Sequence, residues 1–373
     1  MPRLRYALLV AMLLALPLSA AAEPMAVLYD GFGTKDRALI SGRAVNNDKG
    51  YAPEEKKENT WKKLRRSFSL MRAKPMKHAT VDVRIGASIH TVKTDAKGYF
   101  EIDLKAAELH NLSEGEHRMD ARVRGSSKAT RWAQSTFFLW PRNGTAVISD
   151  IDDTVLDSNV AKKLRLVTKT FTNNSKDMKG FAGAAALYSR FRSSGMPVVF
   201  VSSSPTNLHS RLKLFFEQAG FPQAPMLLKR LSLFGGGDSL NEHGSYKERQ
   251  LARIAKLLPG YKFVLIGDSG QADRDVYESF RAKIGSNRIR KIAIHDLGYE
   301  NKKPSRAVWA SQHSFKSYAQ LTKYFESRAL FRSGARASVP SALRRNPVSA
   351  RTKHSRSKRR PPPKTRTARA RAR

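Results

Sequence analysis

Ala146-Val147-Ile148-Ser149-Asp150-Ile151-Asp152-Asp153-Thr154-Val155-Leu156 is a run of β-formers that stops abruptly at three carboxylates. Apolar Val147 and Ile148 read as a buried strand. Asp150 and Asp152 lie two residues apart, so in extended chain both point to one side. Two carboxylates on one side of a strand end repel each other. A cation between them relieves that repulsion, and Mg²⁺ is the usual partner of hard oxygen ligands.

Downstream the chain alternates between strand and helix. Strands are predicted over 146–149, 197–201, 225–228, 262–266 and 289–295, and helices over 180–192, 207–218, 246–258, 273–284 and 315–327. A polar excursion over 157–178 follows the first strand, and Gly235-Gly236-Gly237 sits in a loop before the third helix. This alternation predicts an α/β domain over 144–330, a parallel sheet with helices on both faces. Ligands in such sheets bind beyond the carboxyl ends of the strands.

Upstream, residues 23–143 are expected to form a smaller β-rich, sandwich-like domain. Its strands are read over 37–45, 80–85, 89–94, 99–104, 119–123 and 136–140, with a hairpin turn at Asp95-Ala96-Lys97-Gly98. No convergent acid/base set occurs there, which favours a structural or docking module. A basic insertion, 54–77, carries Trp61, Leu64, Phe68 and Met71 at helical spacing among lysines and arginines. Two readings stand: a helix lying in an anionic membrane interface, or one packed on the β-rich domain with solvated charges.

The two ends differ from both domains. Arg3 and Arg5 precede an apolar stretch over 6–16, and Ser19-Ala20-Ala21-Ala22 offers small residues for cleavage before Glu23. This reads as a signal peptide over 1–22, and predicts export to a periplasmic or secreted location. The tail, 331–373, has no acids and contains Pro361-Pro362-Pro363, so it is expected to be disordered. It reads either as an electrostatic tether or as a solvated tail without a single partner. The net charge of +38 over 373 residues calls for anionic partners. A phospholipid or other anionic membrane surface is expected, with lipopolysaccharide as an alternative; the export signal argues against nucleic acid. The absence of cysteine excludes disulfides, thiolate metal sites and cysteine catalysis.

Four polar clusters end or follow predicted strands: Asp150, Asp152 and Thr154; Ser202-Ser203-Ser204; Lys247 at a helix start; and Gly267-Asp268-Ser269-Gly270 with Asp273. Each alone is weak. In this order, at strand ends, they resemble the haloacid-dehalogenase (HAD) phosphatase superfamily. The stretches Asp150-Ile151-Asp152-Asp153-Thr154-Val155-Leu156, Val201-Ser202-Ser203-Ser204-Pro205 and Ile266-Gly267-Asp268-Ser269-Gly270-Gln271-Ala272-Asp273 resemble the lipin-related phosphatidate phosphatases. The branch is that of the fungal actin-patch enzyme and its bacterial relatives.

That resemblance implies a HAD-like fold and Mg²⁺-dependent hydrolysis of phosphatidate to diacylglycerol and phosphate. It assigns Asp150 as nucleophile and Asp152 as general acid and base. Ser202 and Lys247 become phosphate ligands, and Asp150, Asp152, Asp268 and Asp273 the metal set, with Thr154 ordering the turn. Two rival readings are kept. One is a phosphatase of this fold acting on soluble phosphomonoesters; the other is a non-catalytic cationic protein binding an anionic envelope polymer or nucleic acid.

Overall fold

The computed structural model describes residues 23–47, 70, 73–125, 132–156, 180–230, 243–270, 272–300, 303–304 and 307–331. The stretch read as a signal peptide, nearly all of the helix expected in 54–77, the excursion over 157–178, the Gly235–Gly237 loop and the tail beyond 331 lie outside the described residues.

The front half is built from β1 (Glu23–Leu28), β2 (Gly31–Thr34), β3 (Arg37–Asn47), β4 (Lys74–Pro75), β5 (Thr80–Ile85), β6 (Ser88–Lys93), β7 (Tyr99–Lys105), the short helix α1 (Ala106–Leu109), β8 (Gly115–Val123) and β9 (Ala133–Trp140). All nine strands belong to one hydrogen-bonded sheet, ordered β1-β3-β2-β9-β8-β5-β6, with β4 and β7 also paired to β3. Alternate apolar residues such as Ile40, Val83, Phe100, Met119 and Phe137 meet in one core, so the sheet curls around its own inner face.

The turn at Asp95–Gly98 forms as expected, but it does not close a hairpin. β6 pairs with β5, and β7 pairs with β3. Asp95 Oδ1 captures the amides of Lys97 (2.8 Å) and Tyr99 (2.9 Å), while the Gly98 carbonyl accepts from the Ala44 amide of β3. Gly98 has φ +77°, and a Cβ there would lie 2.6 Å from the Ala44 carbonyl, so this close approach requires glycine. The turn thus hands the chain from one edge of the sheet to the other.

The second half contains β10 (Asn143–Ser149), α2 (Ala184–Ser193), β11 (Val198–Pro205), α3 (His209–Gln218), β12 (Met226–Lys229), α4 (His243–Leu257), β13 (Gly260–Asp268), α5 (Asp273–Ile284), β14 (Ile289–His295), the small pair β15 (Tyr299–Glu300) and β16 (Lys303–Pro304), β17 (Gln312–Phe315) and α6 (Tyr318–Ser327). β17 takes the start of the stretch read as a closing helix, because Gln312–Phe315 completes the sheet edge beside β14.

The main sheet is parallel throughout, ordered β12-β11-β10-β13-β14-β17. Strand order runs outward from β10 in one direction, then resumes beside β10 in the other. The crevice for a ligand therefore opens between β10 and β13. Val147 faces a core with Leu187, Tyr188, Phe215 and Phe325 of α2, α3 and α6. Ala146 and Ile148 face the opposite core, with Ile254, Val276 and Phe280 of α4 and α5.

That second core also takes in Phe32, Leu39 and Phe138 of the β-rich sheet. The two sheets thus share apolar packing along a seam. Its rim is polar. Arg253 donates to both oxygens of Glu101 (2.9 and 2.8 Å), and Arg230 pairs with the same carboxylate. Arg43 donates to Asn207 Oδ1 (3.1 Å), and Gln223 Nε2 donates to Asp30.

Candidate active site

β10 ends at the switch point. The Asp150 amide donates to the Ile266 carbonyl (2.9 Å) and extends the ladder with β13 by one more step. The chain then doubles back at once. The amides of Val155 and Leu156 both donate to the Ile151 carbonyl, and Asp153 adopts φ +60°. Aspartate tolerates this left-handed region better than most side chains. Three side chains hold the turn, two of them from far along the chain. His295 Nδ1 bonds the Asp153 carbonyl (3.1 Å), Tyr318 Oη donates to the Thr154 carbonyl (2.6 Å), and Ser149 Oγ donates to the Asp150 carbonyl (2.7 Å) while sharing a hydrogen bond with Tyr188 Oη.

This turn sends the two aspartates to different neighbours. Asp150 faces Lys247, whose Nζ lies 3.0 Å from Oδ1, and Thr154 Oγ1 donates to its Oδ2 (3.3 Å). Asp152 faces the loop at the end of β11, where Ser202 Oγ and Ser204 Oγ both donate to its Oδ2 at 2.7 Å. The extended-strand expectation of two parallel carboxylates gives way here to a tight turn.

Asp150, Asp268 and Asp273 form the acidic group proper: each offers an oxygen within 4.8 Å of the others, and all three are buried. The Asp152 carboxylate is not in that group. Asp268 sits at the end of β13 and takes the Gly270 amide (2.7 Å). Asp273 opens α5 and accepts from the Asp268 amide (3.3 Å) and from Lys247. Gly267 makes this approach possible, since a Cβ there would lie 2.4 Å from Asp273 Oδ2. Lys247, in the first turn of α4, is buried and bridges Asp150 and Asp273.

The electrostatics follow from three buried carboxylates facing one ammonium. Burial pushes Asp150 up to about 8; Lys247 opposes the rise, while Asp273 and Asp152 add to it. Burial also holds Asp268 well above the usual carboxylate range, reinforced by Asp273 and Asp150. Burial works to lower Lys247, but Asp150, Asp273 and Asp268 together hold it above the ordinary lysine value. The group is short of positive charge. Its donors are all hard carboxylate oxygens, the chemistry that suits Mg²⁺, so Asp150, Asp268 and Asp273 fit such an ion.

Sequence reading placed Ser204 in the cluster after the strand but gave it no role, and it passed over His295, Tyr188 and Tyr318. Ser204 carried a signal: it falls two residues after Ser202, on the same side of an extended strand. The other three lie at least 30 residues from the turn they hold, and nothing local marks them.

Residues 145–296 match the family model described as the phosphatidate phosphatase APP1 catalytic domain. The segment is thus similar to this phosphatidate phosphatase family. An uncharacterized protein of Schizosaccharomyces pombe is 28% identical over 211 residues, covering 55% of this chain and 34% of that protein. Phosphatidate phosphatase APP1 of Saccharomyces cerevisiae is 29% identical over 135 residues, covering 36% of this chain and 23% of the yeast protein. The matches thus span about a third or less of these relatives. A phosphoserine phosphohydrolase-like protein of Francisella tularensis has 13% identity and a TM-score of 0.32, covering 48% of this chain and 99% of that one, a likeness too low to carry weight. These matches support a phosphoric monoester hydrolase for residues 145–296.

Proposed function

We propose that the protein is a Mg²⁺-dependent lipid phosphatase that hydrolyses phosphatidate to diacylglycerol and phosphate. The observation that carries this reading is the division of labour between two aspartates on one turn. Asp150 is packed against Lys247 and two further carboxylates, and Asp152 stands apart on a serine loop.

In the proposed sequence an Asp150 oxygen attacks phosphorus. The bond from phosphorus to the lipid oxygen breaks, its electron pair stays on that oxygen, and Asp152 supplies the proton that makes the alcohol. Water then attacks the aspartyl-phosphate and passes a proton to Asp152; the Asp150–phosphorus bond breaks and the carboxylate is restored. Lys247 neutralises charge on the phosphoryl oxygens as a point charge. Asp150, Asp268 and Asp273 would hold Mg²⁺, which would supply shielding between nucleophile and phosphate dianion.

The lipid substrate is favoured by the family match and by the charge of +38, which draws the chain to anionic surfaces. We extend the proposal to an exported protein that binds the membrane peripherally. Among the described residues, no helix is long and apolar enough to cross a membrane.

The full chain with Mg²⁺ is expected to release phosphate from phosphatidate in detergent micelles, and chelation should abolish this. Asp150→Asn should lower kcat by about 10³-fold or more. Undiminished turnover in that variant would remove Asp150 as nucleophile. Equal kcat/KM on soluble phosphomonoesters would move the substrate to that class. Liposome binding should weaken with salt and on deletion of 331–373; equal binding by the truncated protein would remove the tether.

A further inference from the structure

Two hydroxyls converge on one oxygen of Asp152. Ser202 Oγ and Ser204 Oγ each donate to Oδ2 at 2.7 Å, and the Ser204 amide donates to Ser202 Oγ at 2.8 Å. All three side chains are buried. Residues 202 and 204 lie on one side of the strand, so both hydroxyls can reach one acceptor. The register of β11 against β12 shifts between Ser202 and Pro205, the stretch that carries Ser204. Bulges beside functional sites commonly re-aim a side chain.

We propose that Ser204, with Ser202, is a positioning residue that decides which Asp152 oxygen serves the leaving group. This rests on the reading of Asp152 as general acid. An oxygen that already accepts two O–H donors is the less favourable place for a proton. The arrangement therefore favours Oδ1 as the oxygen that carries the transferable proton. Two bonds to Oδ2 also stop rotation of the carboxylate, so Oδ1 keeps a single direction through protonation and deprotonation.

The test separates positioning from general damage through the leaving group. A simple alkyl phosphate leaves as a poor alkoxide and needs the proton; 4-nitrophenyl phosphate leaves as a stable phenolate and needs it little. Alcohol release is measured in the first turnover, with Mg²⁺, so that hydrolysis of the intermediate does not enter. Asp152→Asn sets the scale: its loss on the alkyl ester should exceed that on the aryl ester by about 10²-fold or more. Ser204→Ala should reproduce this bias at about tenfold or more, with Ser204→Thr restoring most of it.

Equal losses on both esters in Ser204→Ala, with the Asp152→Asn bias intact, would overturn the positioning role and leave the acid assignment standing. Absence of bias in Asp152→Asn would overturn the acid assignment itself. A crystal structure of Ser204→Ala provides a readout that needs no turnover. The Asp152 carboxylate should rotate away from its wild-type direction, and an unchanged direction would refute the clamp.

Discussion

The catalytic corner and the seam between the two sheets solve opposite problems. At the corner, Asp150, Asp268 and Asp273 are buried around one lysine, and charge is left over. At the seam, Phe32, Leu39 and Phe138 are buried among apolar neighbours, and the carboxylates of Asp30 and Glu101 are matched by donors at the rim. The seam follows the ordinary rules of a stable interior. The corner breaks them, as the cation and phosphate site proposed for it would require. Stability should therefore be concentrated at the seam and ligand response at the corner.

The largest expected effect on stability is at the seam. Phe32→Ala should cost about 3–5 kcal/mol, read as a lowered denaturant midpoint. A loss below about 1 kcal/mol would mean that the two sheets hold together without this shared core.

At the corner the signs should reverse. Mg²⁺ at 100 times its Kd should stabilise the protein by about 2.7 kcal/mol, visible as a rise in Tm. Asp268→Asn should raise the Tm of the metal-free protein, because folding at neutral pH must either ionise this buried carboxyl beside Asp273 and Asp150 or protonate it, and an amide requires neither. The same variant should lose the Mg²⁺ response. A full Mg²⁺-dependent rise in Asp268→Asn would take Asp268 out of the metal set.

His209 gives the seam a pH dependence. Its ring lies 4.4 Å from that of Tyr29, and burial first, then Lys213, lower it to about 4, while Asp30 opposes the change. The unfolded chain takes up a proton below about 6.5 and the folded chain does not. Stability is therefore present above that value and falls as the pH drops toward 4. The loss between pH 7 and pH 5 should be about 2 kcal/mol. His209→Phe should remove most of this slope, and an unchanged slope would assign the effect to other groups.

The smallest effect concerns the rim. Glu101→Gln breaks two half-exposed arginine pairs and should cost about 1 kcal/mol or less, falling further in high salt. A larger loss would make the rim, rather than the apolar seam, the main fastening.

Much of the catalytic half was legible because its signals are local. Val147 and Ile148, Val198 to Val201 and Phe263 to Ile266 are apolar runs that can only be buried strands, and the polar clusters follow them directly. The β6–β7 turn shows where this stops. Asp95 and Gly98 specify a turn, but which strand each arm joins depends on the distant backbone of Ala44. Phe315 marks the same limit: it reads as the first residue of a closing helix, yet it ends β17, because β14 offers Gln312–Phe315 an open edge.

Sequence by itself determined that Asp150, Ser202, Lys247 and Asp268 would stand at the ends of successive elements of an α/β sheet, since the alternation of apolar runs sets that order residue by residue. Tertiary structure decided how Asp150 and Asp152 part company. Their separation depends on a left-handed Asp153, held by His295 from β14 and flanked by Tyr318 from α6. A backbone conformation of that kind is too costly to persist on local preference, and only contacts supplied by the completed fold keep it in place.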